Sequence, residues 1–457
     1  MFRKVLIANR GEIAARIIRA CKAVGAQAVA IYSSADANSP HLKLADESIC
    51  IGPGPSSDSY LNQEAILQAA LQTECQAIHP GFGFLSENAR FTQRCKQQGL
   101  TFIGPEASHI SLMGDKARAR ETMKAHGVPV LPGSEGLLGS VEDAQTLANE
   151  MGYPILLKAT AGGGGKGMRI CRSADELPAL YQDAAREAEK AFGNADLYME
   201  KYIEGGRHIE FQILADHYGQ VIHLGERECS IQRNHQKLLE EAPSTNLSPQ
   251  QRNELGETIV NALREIGYIN AGTMEFLMDG DGKLYFMEMN TRIQVEHPVT
   301  EMVTGVDLVA WQLRIAAGQA LSLKQEDIEI KGHAIECRIN AEDPNANFQP
   351  QPGLIETYQT PINNDADGLR FDTHIEEGYK IPPYYDSMIG KMITHGDDRN
   401  EAIERMKEAL SNTKVIGVPT TINLHQQILR HTDFLTGKYT CQFLGDHLKE
   451  LTTAPDA

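Results

Sequence analysis

The feature that most constrains the fold is a predicted β-hairpin, in which two apolar-rich runs flank the tetrapeptide Asp-Gly-Asp-Gly at residues 279–282. Asp-Gly pairs between β-prone runs are typical of hairpin turns. If these four residues form the loop, Met278 pairs with Lys283. Glu288 then becomes the diagonal neighbour of Glu275 on the same face of the hairpin.

The two glutamates suggest a cation site on that face. Diagonal cross-strand neighbours lie roughly 7–8 Å apart at Cα, a distance that two glutamate side chains can close around a hard cation. If the chain stays extended beyond the second strand, alternation adds Asn290, Arg292 and Gln294 to the same face. A solvated polar face of an edge hairpin would show the same pattern, so the hairpin alone leaves both interpretations open.

Length and charge limit the possible classes of protein. A chain of 457 residues is too long for one ordinary core and predicts two to four domains. With 41% hydrophobic and 23% charged residues it is typical of a soluble globular protein. The formal charge of -18 argues against nucleic acid or an anionic membrane as the main partner, because both select basic surfaces.

The cysteines and the N-terminus indicate a cytoplasmic protein. The eight cysteines include no Cys-x-x-Cys pair and are expected to be buried thiols of a reducing compartment. There is no leader-like apolar run at the start, and no uninterrupted apolar stretch of ~18 residues anywhere.

The N-terminal segment predicts a doubly wound α/β sheet. An apolar run at residues 4–8 is followed by an amphipathic stretch at 12–24 and a second apolar run at 28–32. The segment lacks a full Gly-x-Gly-x-x-Gly motif, so NAD binding is not supported. A glycine-broken loop at 79–87 follows another strand end, where such sheets place ligands, although an ordinary loop would look the same.

A glycine-rich stretch at residues 161–168 lies between a predicted strand at 153–159 and another at 169–171. Gly167 occupies the place where a phosphate-binding Walker loop needs Ser or Thr, so that interpretation fails. A strand-glycine-strand order favours a lid whose backbone amides approach phosphate oxygens, with Lys158 as a fixed charge beside them. A flexible surface hairpin is the alternative.

Two further segments suggest ligand contacts. The predicted strand at 197–203 carries Glu200 and Lys201, and a strand edge of this kind suits adenine. Cationic and amide residues then concentrate at 227–237, which predicts either an anion site or a helix-capping surface patch.

Beyond Lys331 the pattern changes to short strands and turns, and two helices at 399–410 and 420–429 are predicted to close the chain. The strands are predicted at 333–339, 353–358, 369–373 and 387–394.

Together these segments resemble the biotin carboxylases of the ATP-grasp superfamily. The resemblance covers Phe2 to about Leu451 and is carried by the following runs: NRGEIAARIIRA, HPGFGFLSEN, MGDK, KATAGGGGKGMRI, EKYI, HIEFQ, RECSIQRNHQKLLEEAP, EMNTRIQVEHPVTE, HAIECRINAEDP and YYDSMIGKMI. The run EMNTRIQVEHPVTE is the most specific of these.

The resemblance implies an α/β protein of several domains. They are a doubly wound N-terminal (pre-ATP-grasp) domain at 1–114, an ATP-grasp lid subdomain, small and mobile, at 115–203, an ATP-grasp core at 204–330, and a β-rich α+β C-terminal domain at 331–450.

The resemblance also implies a set of site residues. The nucleotide-binding residues are Lys116, Lys158, Gly164, Gly165, Met168, Glu200, Lys201, Ile203, His208, Gln232, His235 and Leu277. The metal ligands are Glu275, Glu288 and Asn290, and the bicarbonate site comprises Lys237, Arg292, Gln294 and Val295. Glu296 matches the general base and Arg338 the residue that stabilises the biotin enolate, although these two could also form a purely structural ion pair.

The implied reaction is the ATP-, Mg²⁺- (or Mn²⁺-) and bicarbonate-dependent carboxylation of biotin through carboxyphosphate. No Ala-Met-Lys-Met biotin-attachment sequence is present, so a separate biotin carboxyl carrier protein, carboxyltransferase subunits and a homodimer are expected as partners. We expect the subunit of an acetyl-CoA carboxylase, the alternatives being propionyl-CoA, pyruvate, 2-oxoglutarate or urea-type carboxylases. A different ATP-grasp ligase and a non-catalytic nucleotide-binding paralogue are the other classes, but the latter requires an eroded catalytic set.

Three positions depart from the family pattern. Phe82 stands where relatives often carry Tyr, near the biotin side of the site, and the turn at 279–282 is one residue longer than in many relatives. Arg19 matches a dimer-interface position, but Ala23 replaces an acid there.

Overall fold

The computed structural model describes residues 1–134, 136–159, 167–361 and 368–453. The chain forms two compact units. One comprises Met1–Ala119, Arg207–Phe276 and Glu288–Ala457, and the other comprises Arg120–Gly206 and Leu277–Met287. None of the described helices is both long and apolar enough to cross a membrane.

The N-terminal part is a parallel sheet with helices between its strands, so the predicted doubly wound fold is confirmed. Its strands pair in the order β3-β2-β1-β4-β5, and neighbouring strands are parallel throughout. The elements are β1 (Lys4–Ile7), α1 (Gly11–Ala23), β2 (Gln27–Ser33), β3 (Glu47–Gly52), α2 (Gln63–Gln72), β4 (Ala77–His79), α3 (Ala89–Gln97), β5 (Thr101–Phe102) and α4 (Ala107–Gly114).

A buried asparagine fastens the glycine-broken loop to this sheet. Asn9 follows β1, and its Nδ2 donates to the carbonyl oxygens of Pro80 and Phe82, both at 2.7 Å. Since β1 and β4 are parallel neighbours, their carboxyl ends meet at one edge, where such sheets place ligands.

The second unit contains a small antiparallel sheet in the order β7-β6-β8, packed on two helices. A compact core that includes Ala144, Ile155, Leu157, Leu177 and Met199 lies between the sheet and the helices. The elements of this part of the chain are α5 (Lys116–Ala125), α6 (Val141–Met151), β6 (Ile155–Ala159), β7 (Met168–Cys171), α7 (Leu177–Phe192) and β8 (Leu197–Lys201).

A long sheet follows, which extends through the C-terminal part of the chain. The elements from residue 207 to residue 316, which include the first strands of this sheet, are β9 (Arg207–Ala215), β10 (Val221–Arg233), β11 (Gln236–Ala242), α8 (Pro249–Ile266), β12 (Asn270–Met278), β13 (Leu284–Asn290), α9 (His297–Thr304) and α10 (Leu308–Ala316).

The C-terminal part adds three strands to the same sheet, whose order is β13-β12-β9-β10-β11-β14-β19-β18. Its elements are β14 (His333–Asn340), β15 (Glu342–Asp343), β16 (Gln349–Pro350), β17 (Thr357–Gln359), β18 (Leu369–Thr373), β19 (Met388–Gly396), α11 (Arg399–Ser411), β20 (Lys414–Ile416), α12 (Ile422–Ile428), α13 (Thr432–Leu435) and α14 (Phe443–Thr453).

Two sequence expectations for this region are wrong. The strand expected at 353–358 begins only at Thr357, because the segment before it makes a single isolated bridge, at Leu354. The helix expected at 420–429 is not the last one, since α13 and α14 follow it. Phe443, Leu444 and Leu451 are buried along α14, which is the amphipathic pattern that the prediction overlooked.

The predicted hairpin is present, but its loop is shorter than expected. The amide of Asp279 donates to the carbonyl oxygen of Lys283 at 2.9 Å, and the amide of Gly282 donates to that of Asp279 at 3.1 Å. Asp279, rather than Met278, therefore faces Lys283 across the turn. Gly282 has φ +80°, and a left-handed glycine at this position inserts one residue as a bulge.

The cysteines are free, and most of them lie in the core as expected. Cys50 is exposed and Cys441 is only half-buried, so the expectation of uniformly buried thiols is wrong for these two.

Candidate active site

A largely buried lysine lies at the centre of a group of carboxylates. Lys237, at the start of β11, donates through Nζ to Glu210 at 2.5 Å, to Glu296 at 2.6 Å and to Glu275 at 3.2 Å. Burial by itself lowers the pKa of Lys237, but the three carboxylates outweigh it and raise the pKa well above its usual value. The lysine is therefore a permanent cation among acids contributed by β9, β12 and the end of the segment before α9.

Glu296 lies between two cations. Its Oε1 accepts from Lys237, and its Oε2 lies 2.9 Å from Nη2 of Arg338 on β14. Burial favours the neutral acid, but Lys237, Arg338 and the nearby Arg227 outweigh burial and lower the pKa of Glu296 well below its usual range. Glu296 is thus ionised at neutral pH and able to accept a proton. The ion pair between Glu296 and Arg338 is present, and each of the two residues also pairs with another charged side chain.

Arg338 is held on its other side by a residue that sequence reasoning missed. Its Nε donates to Glu240 Oε1 at 2.6 Å. Glu240 is fully buried, and its Oε2 has no hydrogen-bond partner among the residues that the structure describes. Burial, reinforced by the charge of Glu296, outweighs the pull of Arg338 and raises the pKa of Glu240 to about 7. Glu240 is visible in the sequence only as the first acid of the run LLEEAP.

Glu275 on β12 accepts hydrogen bonds from the predicted neighbours on its face. Asn290 Nδ2 donates to its Oε1 at 2.7 Å and Gln294 Nε2 at 2.9 Å, while His208 Nε2 lies 3.1 Å from its Oε2. Burial raises the pKa of Glu275, but Lys237 and His208 outweigh it, and the pKa is lowered. Residues 290 and 294 therefore reach the acid as the sequence predicted, although β13 ends at Asn290 and the chain bends directly after it.

Glu288 lies on β13, two residues before Asn290. It forms an ion pair with Lys116 at 2.9 Å, and the Lys116 side chain is 72% exposed. Two carboxylates and an amide oxygen form the hard donor set that Mg²⁺ or Mn²⁺ prefers. The residues present thus fit a divalent cation.

Arg292 is oriented by another residue that was not predicted. Glu87, in the loop between β4 and α3, accepts from Arg292 Nε at 2.9 Å and from the amide of Thr291 at 3.0 Å. The remaining donors of Arg292 contact Asn290 Oδ1 at 2.9 Å and Gln294 Oε1 at 2.8 Å. The signal was available, because Glu87 ends the glycine-broken loop that the sequence placed at a ligand-binding edge.

The basic segment at 227–237 is part of a strand and its turn, so the helix-capping alternative is wrong. Arg227 on β10 is completely buried and donates to Glu210 Oε1 at 2.5 Å and to Thr300 Oγ1 at 2.9 Å. It neutralises an acid that also contacts Lys237. The sequence shows Arg227 only as one member of a basic cluster, because it does not reveal which of these cations is buried.

The remaining predicted residues of this unit lie around the same strands. Gln232 is the register partner of Lys237 on β10, and His235 lies in the exposed turn with φ +66°. The carbonyl oxygen of Val295 accepts from Nζ of the buried Lys391 at 2.5 Å.

In the second unit, the structure brings together some of the predicted nucleotide-binding residues. Lys158 on β6 forms an ion pair with Glu200 on β8 at 2.5 Å. Lys201 donates through Nζ to the carbonyl oxygens of Gly152 at 2.9 Å and Tyr153 at 3.1 Å. Gly164 and Gly165, with most of the predicted glycine lid, lie outside the described residues.

The other predicted residues of this unit lie close to that pair of strands. Lys201 and Ile203 line a cavity of about 350 Å³ within the unit. Leu277 lies against Gly206, where an added Cβ would come within 2.8 Å of the leucine side chain. Met168 begins β7 and is 36% exposed.

Three family models match the chain. They are the biotin carboxylase N-terminal domain at residues 1–110, the carbamoyl-phosphate synthase L chain ATP-binding domain at 115–324, and the biotin carboxylase C-terminal domain at 336–446.

Similar proteins and structures span nearly the whole chain. The 2-oxoglutarate carboxylase small subunit of Hydrogenobacter thermophilus is 56% identical over 98% of this chain and 94% of its own length. The biotin carboxylase of a Nostoc species is 56% identical over 97% of this chain and 98% of its own. The crystal structure of the biotin carboxylase domain dimer of Hydrogenobacter thermophilus 2-oxoglutarate carboxylase, in complex with MgADP, ADP and bicarbonate, has a TM-score of 0.91 at 55% identity, with 100% of each chain covered. The chain belongs to the biotin carboxylase family.

Proposed function

We propose that this chain uses ATP, a divalent cation and bicarbonate to carboxylate the biotin of a separate carrier protein, as the biotin carboxylase component of an acetyl-CoA carboxylase. The observation that carries the proposal is the buried array Arg338–Glu296–Lys237–Glu275, which pairs a base with cations that suit a one-carbon anion. A purely structural ion network would not need three acids around one lysine that still has 11% of its side chain exposed.

Glu296 is proposed as the general base. Bicarbonate is a weak nucleophile, so its proton must leave as its oxygen attacks the γ-phosphoryl group to give carboxyphosphate and ADP. Lys237 and Arg338 lower the basicity of Glu296. A bound anion that pairs with Lys237 and Arg338 would offset part of their positive charge and so raise the basicity of Glu296 again. The base therefore becomes active when its substrate is present.

Lys237, Arg292, Gln294 and Val295 are proposed to hold the bicarbonate. The guanidinium of Arg292 is a planar fork, and Glu87 fixes its orientation. Arg338 is proposed to stabilise the developing charge on the ureido oxygen of biotin, since a cation that is already oriented costs little reorganisation during the reaction.

Glu275, Glu288 and Asn290 would hold the divalent cation, and Lys116 lies beside Glu288. When bound, the cation supplies positive charge to the β- and γ-phosphates. Lys158, Met168, Glu200, Lys201, Ile203 and Leu277, together with His208, Gln232 and His235, are proposed to contact the nucleotide. Gly164 and Gly165 are proposed as parts of a lid that excludes water, since carboxyphosphate hydrolyses in water.

The test of the half-reaction is ADP release by the purified chain with free biotin as the acceptor. Release that requires both biotin and bicarbonate is the expected result. ADP formation that responds to an amine acceptor but not to biotin would indicate a different ATP-grasp ligase, and nucleotide binding without turnover would indicate a non-catalytic paralogue.

The acceptor needs a separate test, because relatives of equal identity include a 2-oxoglutarate carboxylase subunit and a protein named only as a biotin carboxylase. The proposal of acetyl-CoA rests on the resemblance to separate biotin carboxylase subunits. Tagged chain isolated from its native cells should bring down a carrier and carboxyltransferase subunits, and the assembly should consume acetyl-CoA. Carboxylation of 2-oxoglutarate, pyruvate, propionyl-CoA or urea instead would reassign the acceptor while leaving the half-reaction intact.

A further inference from the structure

A group of metal-ligating side chains lies in the C-terminal region, away from the site described above. His431 directly precedes α13, and His447 and Glu450 lie on α14. One ligand atom from each of the three residues lies within 4.8 Å of the other two. His447 and Glu450 are three residues apart on the helix and therefore share one face.

The two imidazole rings are held in place by packing. Their centroids are 4.3 Å apart, and each ring lies 5.1 Å from the ring of Phe443. Phe443 is only 3% exposed and belongs to the hydrophobic core of the C-terminal region. The rings therefore have little freedom to lose on binding a ligand, while Glu450, whose side chain is 71% exposed, can still move.

The distances are close to those of a metal site. Glu450 Oε2 lies 3.8 Å from His447 Nδ1 and 4.0 Å from His431 Nε2. Two ligand atoms of a tetrahedral zinc, each about 2.0–2.2 Å from the metal, lie roughly 3.3–3.6 Å apart. Closing this difference requires a small shift, which the exposed glutamate can supply by rotating its side chain.

Asp433 orients one of the ligands. Its Oδ2 lies 3.3 Å from His447 Nε2, which favours a proton on that nitrogen and leaves the Nδ1 lone pair towards Glu450. Carboxylates behind metal-binding histidines play this role in known sites. This is a second observation, independent of the spacing of the three ligands, that points to a cation.

His431 would change tautomer on binding. Its Nδ1 accepts the amide of Asp433 at 3.2 Å, so the neutral ring carries its proton on Nε2. A metal at Nε2 requires that proton to reside on Nδ1 instead, with no net gain or loss of protons. The hydrogen bond to the Asp433 amide is then lost, which gives binding a local signature at the start of α13.

We propose that His431, His447 and Glu450 bind a late first-row divalent cation, of which zinc suits the nitrogen and oxygen donors best. The cation fastens α14 to the segment that precedes α13. The chain between these ligands is itself anchored on the long sheet. Arg207 Nη2 donates to Gly437 O at 2.8 Å, and Tyr439 OH donates to Glu241 Oε1. The cation thus stabilises the docking of the C-terminal segment rather than taking part in chemistry.

The experiment is a zinc titration of the full chain after removal of metal with a chelator, in excess Mg²⁺ to occupy the carboxylate-rich candidate active site. We expect one zinc per chain and a rise in melting temperature. Glu450→Gln and His447→Gln should each weaken the affinity at least tenfold. His217→Gln, at an exposed turn before β10, is the matched control and should leave the affinity unchanged.

Location is measured separately by chemical modification of histidines and mass spectrometry of the resulting peptides. Zinc should protect His431 and His447 but not His217. Glu450 is an exposed position, so its variant keeps the fold even if the histidine variant does not. Full-strength zinc binding by Glu450→Gln and His447→Gln, protection confined to other histidines, or no zinc binding in excess Mg²⁺ would each overturn the proposal.

Discussion

At the scale of single residues, the chemistry depends on Glu296 being ionised and within reach of a substrate proton. We expect Glu296→Gln to lower biotin-dependent turnover by roughly 10²-fold or more, because an amide cannot accept the proton. Nucleotide affinity, measured by ADP titration, should stay close to that of the parent chain. Glu257→Gln, an exposed position on α8, is the matched control. Unchanged turnover in Glu296→Gln would remove Glu296 from the role of base.

Glu240 makes a testable contribution to the pH dependence of stability. Burial raises the pKa of this carboxyl from 4.5 to about 7, so between these pH values the folded chain retains a proton that the unfolded chain has released. The stabilising contribution is complete below about pH 4.5 and is lost as the pH rises through about 7.

Glu240→Gln resembles the protonated state at every pH. We therefore expect the parent chain to lose stability relative to this variant by a few kcal/mol between about pH 4.5 and 8, at about 1.4 kcal/mol for each unit of pKa difference. Melting temperatures of both proteins across this range provide the measurement. Parallel curves would mean that Glu240 is ionised throughout.

Sequence reasoning succeeded at this scale where the residue type itself carried the chemistry. Asn290 and Gln294 contact Glu275, as the sequence predicted. Glu87, Glu210 and Glu240 were missed because their role depends on which cation each of them contacts in the folded chain. Such pairings join residues far apart in the chain, and no local pattern records them.

At the scale of elements, the most deeply buried charged side chain of β10 is that of Arg227. Arg227 is fully buried and paired with Glu210, so its removal takes a charged partner away from Oε1 of a buried carboxylate. We expect Arg227→Met to lower the free energy of unfolding by about 3–5 kcal/mol. Arg264→Met, an exposed position on α8, should change it by less than about 0.5 kcal/mol. Denaturant titration of both variants provides the comparison, and equal effects would show that the buried pair contributes little.

Most elements were predictable because their apolar periodicity is strong. The strand expected at 369–373 has the observed bounds, and the strand end expected before the glycine-broken loop is that of β4. The hairpin loop was predicted one residue too long because the left-handed Gly282 inserts a bulge that residue types alone do not specify. The late helix α14 was not predicted because its amphipathic pattern is modest.

At the scale of the whole molecule, ligand binding should be coupled to global stability. We expect MgADP at 100 times its Kd to raise the free energy of unfolding by about 2.7 kcal/mol, because a ligand that binds only the folded state stabilises it by mass action. Glu275→Gln removes a proposed metal ligand and should reduce the magnesium-dependent part of the gain. Thermal melts with ADP, with and without Mg²⁺, measure both effects. An identical magnesium effect in the variant would argue against Glu275 as a ligand.

The unbroken sheet limits how this protein can be divided. β11 pairs with β14 along four residue positions, from Leu239 with Cys337 to Ala242 with Ala334, so strands from either side of residue 330 share one hydrogen-bonded ladder. A protein truncated at that point would expose the unpaired hydrophobic edge of a strand, and such edges pair between molecules and cause aggregation. Recombination between carboxylases should therefore exchange this whole body as one piece, even though sequence comparison divides it into separate domains.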